Sequence, residues 1–283
     1  MKPTNRWIAS RSDHQTPLLE AVARQLKISR KQAKRLLDAR SVFVNQRRVW
    51  MARHLIQYGD QLEVQGAPAQ LRPEAVPTRL TILQEHPDWL VINKPAGLLS
   101  NGPGSVESML REQLQNPALE AIHRLDRDTS GCLLFARRPA AVPALIELFE
   151  NKAIRKIYLA LVQGVFPAQV TRVDKALEGL EAVTDFRVVD KNERASLVEA
   201  SPLTGRTHQV RLHARSVGHP LAGDRVYATD AVEDPGLRKL PRQMLHAWKL
   251  IWRAEDGATI SVEAPWPDDF RRALQSLGLR ARV

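Results

Sequence analysis

Cysteine is nearly absent from this sequence: Cys132 is the single one among 283 residues. An internal disulfide is therefore impossible, and no Cys/His group has the paired spacing of a zinc site. Nowhere do about 18 apolar residues run together, and residues 1–13 lack the continuous apolar core of an export signal. The sequence predicts a protein of the reducing cytoplasm, with no bound metal, that is neither exported nor inserted in a membrane.

Acidic residues are outnumbered, with 31 Asp and Glu against 42 Lys and Arg and a net charge of +11. Hydrophobic residues make up 43% and charged residues 26%, which is the mixture of a folded globular protein. Residues 1–66 alone hold 13 Lys and Arg against 5 Asp and Glu, a net charge of +8. This concentration of positive charge indicates a polyanionic partner that contacts the first quarter of the chain.

The first quarter also has its own pattern of elements. Apolar spacing predicts helices over residues 18–26 and 31–38, the second capped by Ser29. Short apolar runs at 42–44 and 62–64 predict strands, with residues 45–48 as a turn after the first. The pattern describes a small helix–helix–strand unit that closes near residue 66.

Basic residues of this unit lie on positions that the apolar pattern leaves exposed, where they could contact phosphates or simply face solvent. The arrangement resembles the S4-like RNA-binding domain over about residues 16–64, which implies RNA as the partner. The predicted RNA contacts are Arg30, Lys31, Lys34, Arg35, Arg47 and Arg48.

Residues 67–79 contain three prolines without periodicity and predict a linker. From residue 80 to 283 short strands mix with a few helices, among them a strand over 90–93, a hairpin around 256–257, and a final helix capped by Asp268 and ended by Gly278. Because these strands and helices do not alternate regularly, the sequence predicts a mainly antiparallel α+β domain behind a small N-terminal α/β domain.

A polar loop with the sequence HRLDRDTSG, residues 123–131, interrupts two apolar strands. Asp, Thr, Ser and Gly are turn formers, so the residues alone leave open that Asp126 only bonds backbone groups. The whole string resembles the active-site motif of the RluA-like family of RNA pseudouridine synthases. The resemblance implies that Asp126 is the catalytic residue, while Asp128 stands at a variable position and has no implied role.

Two later segments resemble other motifs of that family. In RKIYLALVQG, residues 155–164, the resemblance implies that Tyr158 is the active-site tyrosine, although a tyrosine in an apolar strand is also a common core residue. In TGRTHQVRLH, residues 204–213, it implies that Arg211 pairs with Asp126. The alternative for the second segment is a surface strand with exposed basic residues.

The resemblance implies isomerisation of uridine to pseudouridine without a cofactor, by a monomer whose RNA is ribosomal RNA of the large subunit or else tRNA. Asp126 would act as nucleophile or as base, Tyr158 would pack on the uracil, and Arg124 would insert into the RNA to support the extruded nucleotide. Two rivals remain: a hydrolase using Ser130, a histidine such as His208, and Asp126, for which the Gly-X-Ser-X-Gly elbow is missing, and a non-catalytic RNA-binding or ribosome-assembly protein.

Overall fold

The computed structural model describes residues 4–26, 28, 30–38, 41–65, 79–228, 234–254 and 256–280. The chain divides into two compact units, Met1–Val76 and Pro77–Val283. The predicted linker, except for Arg79, and the predicted cap Ser29 lie outside the described residues. No helix in the described ranges is long and apolar enough to cross a membrane.

The N-terminal unit packs two helices on one antiparallel sheet whose strand order is β1-β4-β2-β3. The helices are α1 (Leu18–Gln25) and α2 (Arg30–Asp38), preceded by a 3₁₀ turn at Arg11–Asp13. The strands are β1 (Thr4–Ile8), β2 (Val42–Val44), β3 (Arg47–Arg48) and β4 (Gln61–Gln65). Helix residues such as Leu18, Val22 and Leu37 share one buried core with Leu62 and Val64 of the sheet, as their apolar spacing predicts.

Two details of this unit differ from the sequence prediction. The strand β1 was not predicted, because only Trp7 and Ile8 in it are apolar and it depends on its pairing with β4. The turn after β2 consists of Asn45 and Gln46 alone, which both have positive φ, so the following arginine pair belongs to β3. Two residues with positive φ make the tight turn that matches the twist of a hairpin.

The second unit is built on a sheet of ten strands, in the order β10-β11-β12-β9-β13-β8-β6-β5, with β14 beside β13 and β7 beside β8. Every pairing is antiparallel except the short contact between β13 and β8. The strands are β5 (Thr81–Glu85), β6 (Trp89–Lys94), β7 (Glu120–Ala121), β8 (Ser130–Ala136), β9 (Arg155–Gln163), β10 (Arg172–Asp174), β11 (Val183–Lys191), β12 (Ala195–Pro202), β13 (Leu245–Arg253) and β14 (Thr259–Glu263).

Along the chain the helices connect strands or, in the case of the last one, follow the final strand, and their apolar residues belong to the buried clusters that pack on the sheet. They are α3 (Val106–Gln113), α4 (Val142–Glu150, after a 3₁₀ turn at Pro139–Ala141), α5 (Gln209–Ser216), α6 (Pro235–Arg238) and α7 (Asp268–Ser276). The predicted α+β architecture with a mainly antiparallel sheet is confirmed. In α7 the N-cap is Pro267, so Asp268 is the first helical residue and not the cap, while Gly278 follows the end with φ +67°.

The parallel contact between β8 and β13 brings two backbones unusually close. Gly131 has φ +115°, and a Cβ at this position would lie 2.1 Å from the carbonyl oxygen of Ala247. Only glycine fits this approach, because any side chain would collide with backbone. The glycine that ends the HRLDRDTSG loop therefore fixes where the chain enters the sheet as β8.

Candidate active site

Asp126 lies in the loop between β7 and β8 and lines a cavity of about 550 Å³. Its carbonyl oxygen accepts a hydrogen bond from the N–H of Thr129 at 3.0 Å, which closes a tight turn. The side chain is 21% exposed, so the carboxylate is accessible but largely shielded from solvent. Arg124, Tyr158 and Arg211 line the same cavity, so the structure brings together all the site residues predicted for this unit.

The first half of the loop is held by two polar side chains. His123 accepts a hydrogen bond from the N–H of Leu134 at its Nε2, at 3.1 Å, and its ring stacks on Phe149. Loss of solvation lowers the pKa of His123 to about 3, so the imidazole is neutral and can accept. Ser100 Oγ accepts from the N–H of Leu125 at 2.9 Å and donates to its carbonyl at 3.0 Å. Residues 123 and 125, which precede Asp126, are therefore each held in place by contacts with another part of the fold.

The second half of the loop is held by two buried cations. Lys94 Nζ donates to the carbonyl of Arg127 at 2.9 Å and to two further carbonyls of its own loop. Arg242 Nη1 donates to the carbonyl of Asp128 at 3.0 Å, and the same guanidinium pairs with Asp269 of α7. Burial lowers the pKa of Lys94 to about 7. Two consecutive carbonyls after the aspartate are thus each fixed by a cation from another part of the fold.

Arg211, on the first turn of α5, is shared between two carboxylates. Its Nη1 donates to Asp126 Oδ2 at 3.1 Å, while its Nε and Nη2 donate to Asp224 at 2.7 and 2.9 Å. The Arg211 side chain is 5% exposed and that of Asp224 only 1%. Burial alone would disfavour the charge, but the hydrogen bonds and charges of the two carboxylates outweigh it and raise the pKa of Arg211. The arrangement presents a fixed cation to one oxygen of Asp126.

The other oxygen of Asp126 faces His208, whose Nε2 lies 3.7 Å from Oδ1. His208 sits before α5 in a left-handed conformation with φ +55°, and its Nδ1 shares a hydrogen bond of 2.8 Å with the hydroxyl of Tyr227. The ring of Tyr227 in turn lies under the Arg211 guanidinium, 4.8 Å from its Cζ. Asp126, His208, Tyr227 and Arg211 thus form a closed cycle of contacts.

Tyr158 lies on β9 and reaches the cavity with its ring half-buried between two apolar clusters. Burial raises the pKa of its hydroxyl, and the charge of Asp126 raises it further. Within the described residues the hydroxyl has no hydrogen-bond partner. A neutral aromatic ring beside a carboxylate offers a flat surface on which a base can pack.

The geometry disfavours the hydrolase alternative. Ser130 is 2% exposed, and its Oγ bonds His246 Nδ1 at 2.9 Å and Arg242 Nη2 at 3.2 Å, not His208. The other ring nitrogen of fully buried His246 bonds the carbonyl of Ala264 at 3.2 Å and not Asp126, so no serine–histidine–aspartate chain forms. Asp128, the other acid of the motif, forms a double hydrogen bond with Arg127. Across the residues that the structure describes, no three His, Cys, Asp or Glu side chains are grouped as metal ligands.

Four of the six basic residues predicted to contact RNA from the N-terminal unit are exposed: Arg30, Lys34, Arg47 and Arg48. The side chains of Lys31 and Arg35 lie outside the described residues. Arg30 pairs with Glu20 at 2.7 Å, Lys34 with Asp38 at 3.4 Å, and Arg48 lies over the ring of Phe43.

Other residues of the site had no assigned role at the level of the sequence. Lys94 and Asp224 stand in short strings, KPAG and GD, that accompany the family pattern, so position along the chain could have indicated them. Arg242 had no such signal, because its contacts with residues 128 and 130 join parts of the chain more than 100 residues apart. In the 204–213 segment, residues 204–208 form a loop and 209–213 begin α5, with Arg211 buried, so the alternative of an exposed strand is wrong.

Comparison with known proteins identifies the protein family to which this chain is similar. A family model described as RNA pseudouridylate synthase matches residues 88–216. The ribosomal large subunit pseudouridine synthase D of Nitrosomonas europaea is 36% identical over 72% of this chain and 66% of its own length. The ribosomal large subunit pseudouridine synthase C of Escherichia coli O157:H7 is 34% identical over 86% of both chains.

The solved structure of human RNA pseudouridylate synthase domain containing 4 superposes with a TM-score of 0.61 at 26% identity, over 71% of this chain and 94% of that one. The shared fold, the aligned length and the sequence identity all indicate the same family. The chain belongs to the RluA-like family of RNA pseudouridine synthases, which are isomerases.

Proposed function

We propose that this protein converts specific uridines of large-subunit ribosomal RNA to pseudouridine in the cytoplasm, with Asp126 as the catalytic carboxylate. The observation that carries the proposal is the hydrogen bond of 3.1 Å from buried Arg211 to Asp126 at the wall of a cavity. The names of the curated relatives support ribosomal RNA as the substrate.

The reaction needs only groups that the site holds. The N1–C1′ bond of uridine breaks, the uracil turns, and a C5–C1′ bond forms; C5 loses a proton and N1 gains one, so nothing is oxidised. Asp126 either attacks the ribose as a nucleophile or removes a ribose proton as a base. Arg211 orients the carboxylate through its hydrogen bond, and Tyr158 packs on the detached uracil.

RNA binding completes the proposal. A uridine stacked in RNA must be extruded to reach Asp126, at a cost of a few kcal/mol. Exposed Arg124, two residues before Asp126, supports the extruded state because its planar guanidinium can stack on bases. The N-terminal unit acts as an S4-like RNA-binding domain through its exposed cations, and the enzyme works as a monomer.

The experiment that tests the proposal measures tritium released from C5 of labelled uridine. Large-subunit ribosomal RNA and, separately, a tRNA pool are transcribed with the label and incubated with the protein. We expect release from ribosomal RNA. Release from tRNA alone would make the enzyme a tRNA pseudouridine synthase, and no release from any cellular RNA would leave only the non-catalytic alternative.

A further inference from the structure

Lys156 is a half-buried lysine that lines the same cavity as Asp126. It lies on β9 two residues before Tyr158, and side chains two apart on a strand share a face. Lys156 has no role in the reaction at Asp126 or in the orientation of that carboxylate.

The hydrogen bonds of Lys156 leave most of its ammonium free. Its Nζ donates to the carbonyl of Thr204 at 3.1 Å, and no other hydrogen bond of this group occurs among the described residues. A lysine ammonium has three donors, and that of fully buried Lys94 donates one hydrogen bond to each of three carbonyls. Two donors of Lys156 therefore remain for a ligand in the cavity.

The charge of Lys156 is also unbalanced. Within the described part of the chain it forms no salt bridge, and the charged side chain that acts on it is another cation, Lys152. Burial, and then the charge of Lys152, lower the pKa of Lys156 to about 8. A partly desolvated cation without a counter-ion is costly, and an anionic ligand would remove that cost.

A second cation lies on the segment that Lys156 touches. Arg206 follows Thr204 by two residues and lines the same cavity. Its Nε donates to the carbonyl of Glu181 at 3.0 Å, and the exposed guanidinium has further donors. Lys156 and Arg206 therefore both bring available hydrogen-bond donors to this cavity.

We propose that Lys156 and Arg206 form a subsite that binds a backbone phosphate next to the target uridine. This inference rests on the proposed function, because extrusion turns a nucleotide into the pocket while its two flanking phosphates stay at the entrance. Phosphate contacts fix the register of a nucleic acid without reading its sequence. The subsite would thus align the ribose with Asp126 for any sequence context.

The test uses the full-length Asp126→Asn protein and a fragment of ribosomal RNA whose modified uridine has been mapped with the wild-type enzyme. A single methylphosphonate, which removes one negative charge, replaces the phosphate on the 5′ or the 3′ side of that uridine. Dissociation constants are measured for Asp126→Asn alone and with Lys156→Met, Arg206→Gln or, as a control, Lys191→Met on the exposed end of β11.

With Lys156 and Arg206 present, we expect one of the two methylphosphonates to weaken binding roughly tenfold, as for loss of a charged hydrogen bond. With Lys156→Met or Arg206→Gln, the same methylphosphonate should cause at most a twofold further loss, whereas Lys191→Met should keep the full effect. Equal losses in all four proteins would overturn the subsite.

Stability separates a ligand-binding lysine from a structural one. Because Lys156 has no counter-ion within the described residues, Lys156→Met should not lower the melting temperature of the free protein, and Lys156→Arg should restore the sensitivity to the methylphosphonate. A lowered melting temperature without that rescue would mean that Lys156 only supports the fold. If the wild type modifies no uridine, the proposed function and the subsite fail together; if it does and no coupling appears, only the subsite fails.

Discussion

Asp224 holds Arg211 with two hydrogen bonds, of 2.7 and 2.9 Å, and leaves one edge of the guanidinium for Asp126. The two side chains are almost completely buried, so the pair is shielded from solvent and from salt. The direction in which Arg211 points is therefore set by a carboxylate that does not itself line the cavity.

Asp224→Asn should reduce kcat by about 100-fold with little change in KM, because a misdirected Arg211 misplaces Asp126 without altering the RNA-binding surface. The free energy of unfolding should also fall by about 3 kcal/mol, as for a broken buried ion pair. Single-turnover rates and urea titrations measure the two effects.

The control is Asp185→Asn, which breaks a double hydrogen bond of the same kind between exposed Arg172 and Asp185. It should leave both quantities nearly unchanged, since exposed pairs contribute about 1 kcal/mol or less. Equal losses in the two variants would show that the Asp224 contact has no special role.

Lys94→Met should change how stability depends on pH. In the folded chain burial lowers the pKa of Lys94 from 10.5 to about 7, so between these values the unfolded chain binds more protons and stability rises with pH. The cost of the buried charge is present in full below pH 7 and disappears as the pH rises.

The free energy of unfolding of the wild type minus that of Lys94→Met should therefore rise by about 1 kcal/mol per pH unit between about pH 7 and pH 9. Urea titrations at several pH values measure it. The control is Lys239→Met, at an exposed lysine, and its free energy of unfolding should depend on pH in the same way as that of the wild type. A difference that stays flat for Lys94→Met would contradict the depressed pKa.

Arg242 connects α7 to the catalytic loop, because its guanidinium binds Asp269 and the Asp128 carbonyl together. Arg242→Met and Asp269→Asn should each lower the free energy of unfolding by about 3 kcal/mol and slow turnover. The double variant should lose much less than the sum, because both substitutions break one network. Additive losses would mean that the two residues act separately.

The exposed cations of the N-terminal unit should contribute to RNA affinity through counterion release. Replacing Lys34, Arg47 and Arg48 by Gln should reduce the slope of log K against log salt by about 2 to 3, if each contacts one phosphate of a duplex. Filter binding at several salt concentrations measures the slope. Arg253→Gln, at an exposed residue of the other unit, is the control. If the triple variant has the same slope as the wild type, these three cations do not contact RNA.

The sequence predicts the parts of the site that lie close together along the chain. The loop around Asp126 and the strand of Tyr158 follow from turn residues and apolar spacing, and both are present as predicted. The helix that carries Arg211 and the clamp by Arg242 could not be predicted in this way. Three of the five buried residues of that helix, Gln209, Arg211 and His213, are polar, so the apolar period of a helix is hidden. The contacts of Arg242 join distant segments, which local propensity does not encode.

Asp126→Asn removes the carboxylate that performs the proposed chemistry. Asn has nearly the same shape and can still accept a hydrogen bond from Arg211, but it has no carboxylate to act as nucleophile or base. Tritium release from labelled ribosomal RNA under single-turnover conditions, with the RNA dissociation constant measured beside it, is the decisive measurement. We expect no release from Asp126→Asn, with an affinity for the RNA within about twofold of the wild type; release at the wild-type rate would show that Asp126 is not the catalytic residue.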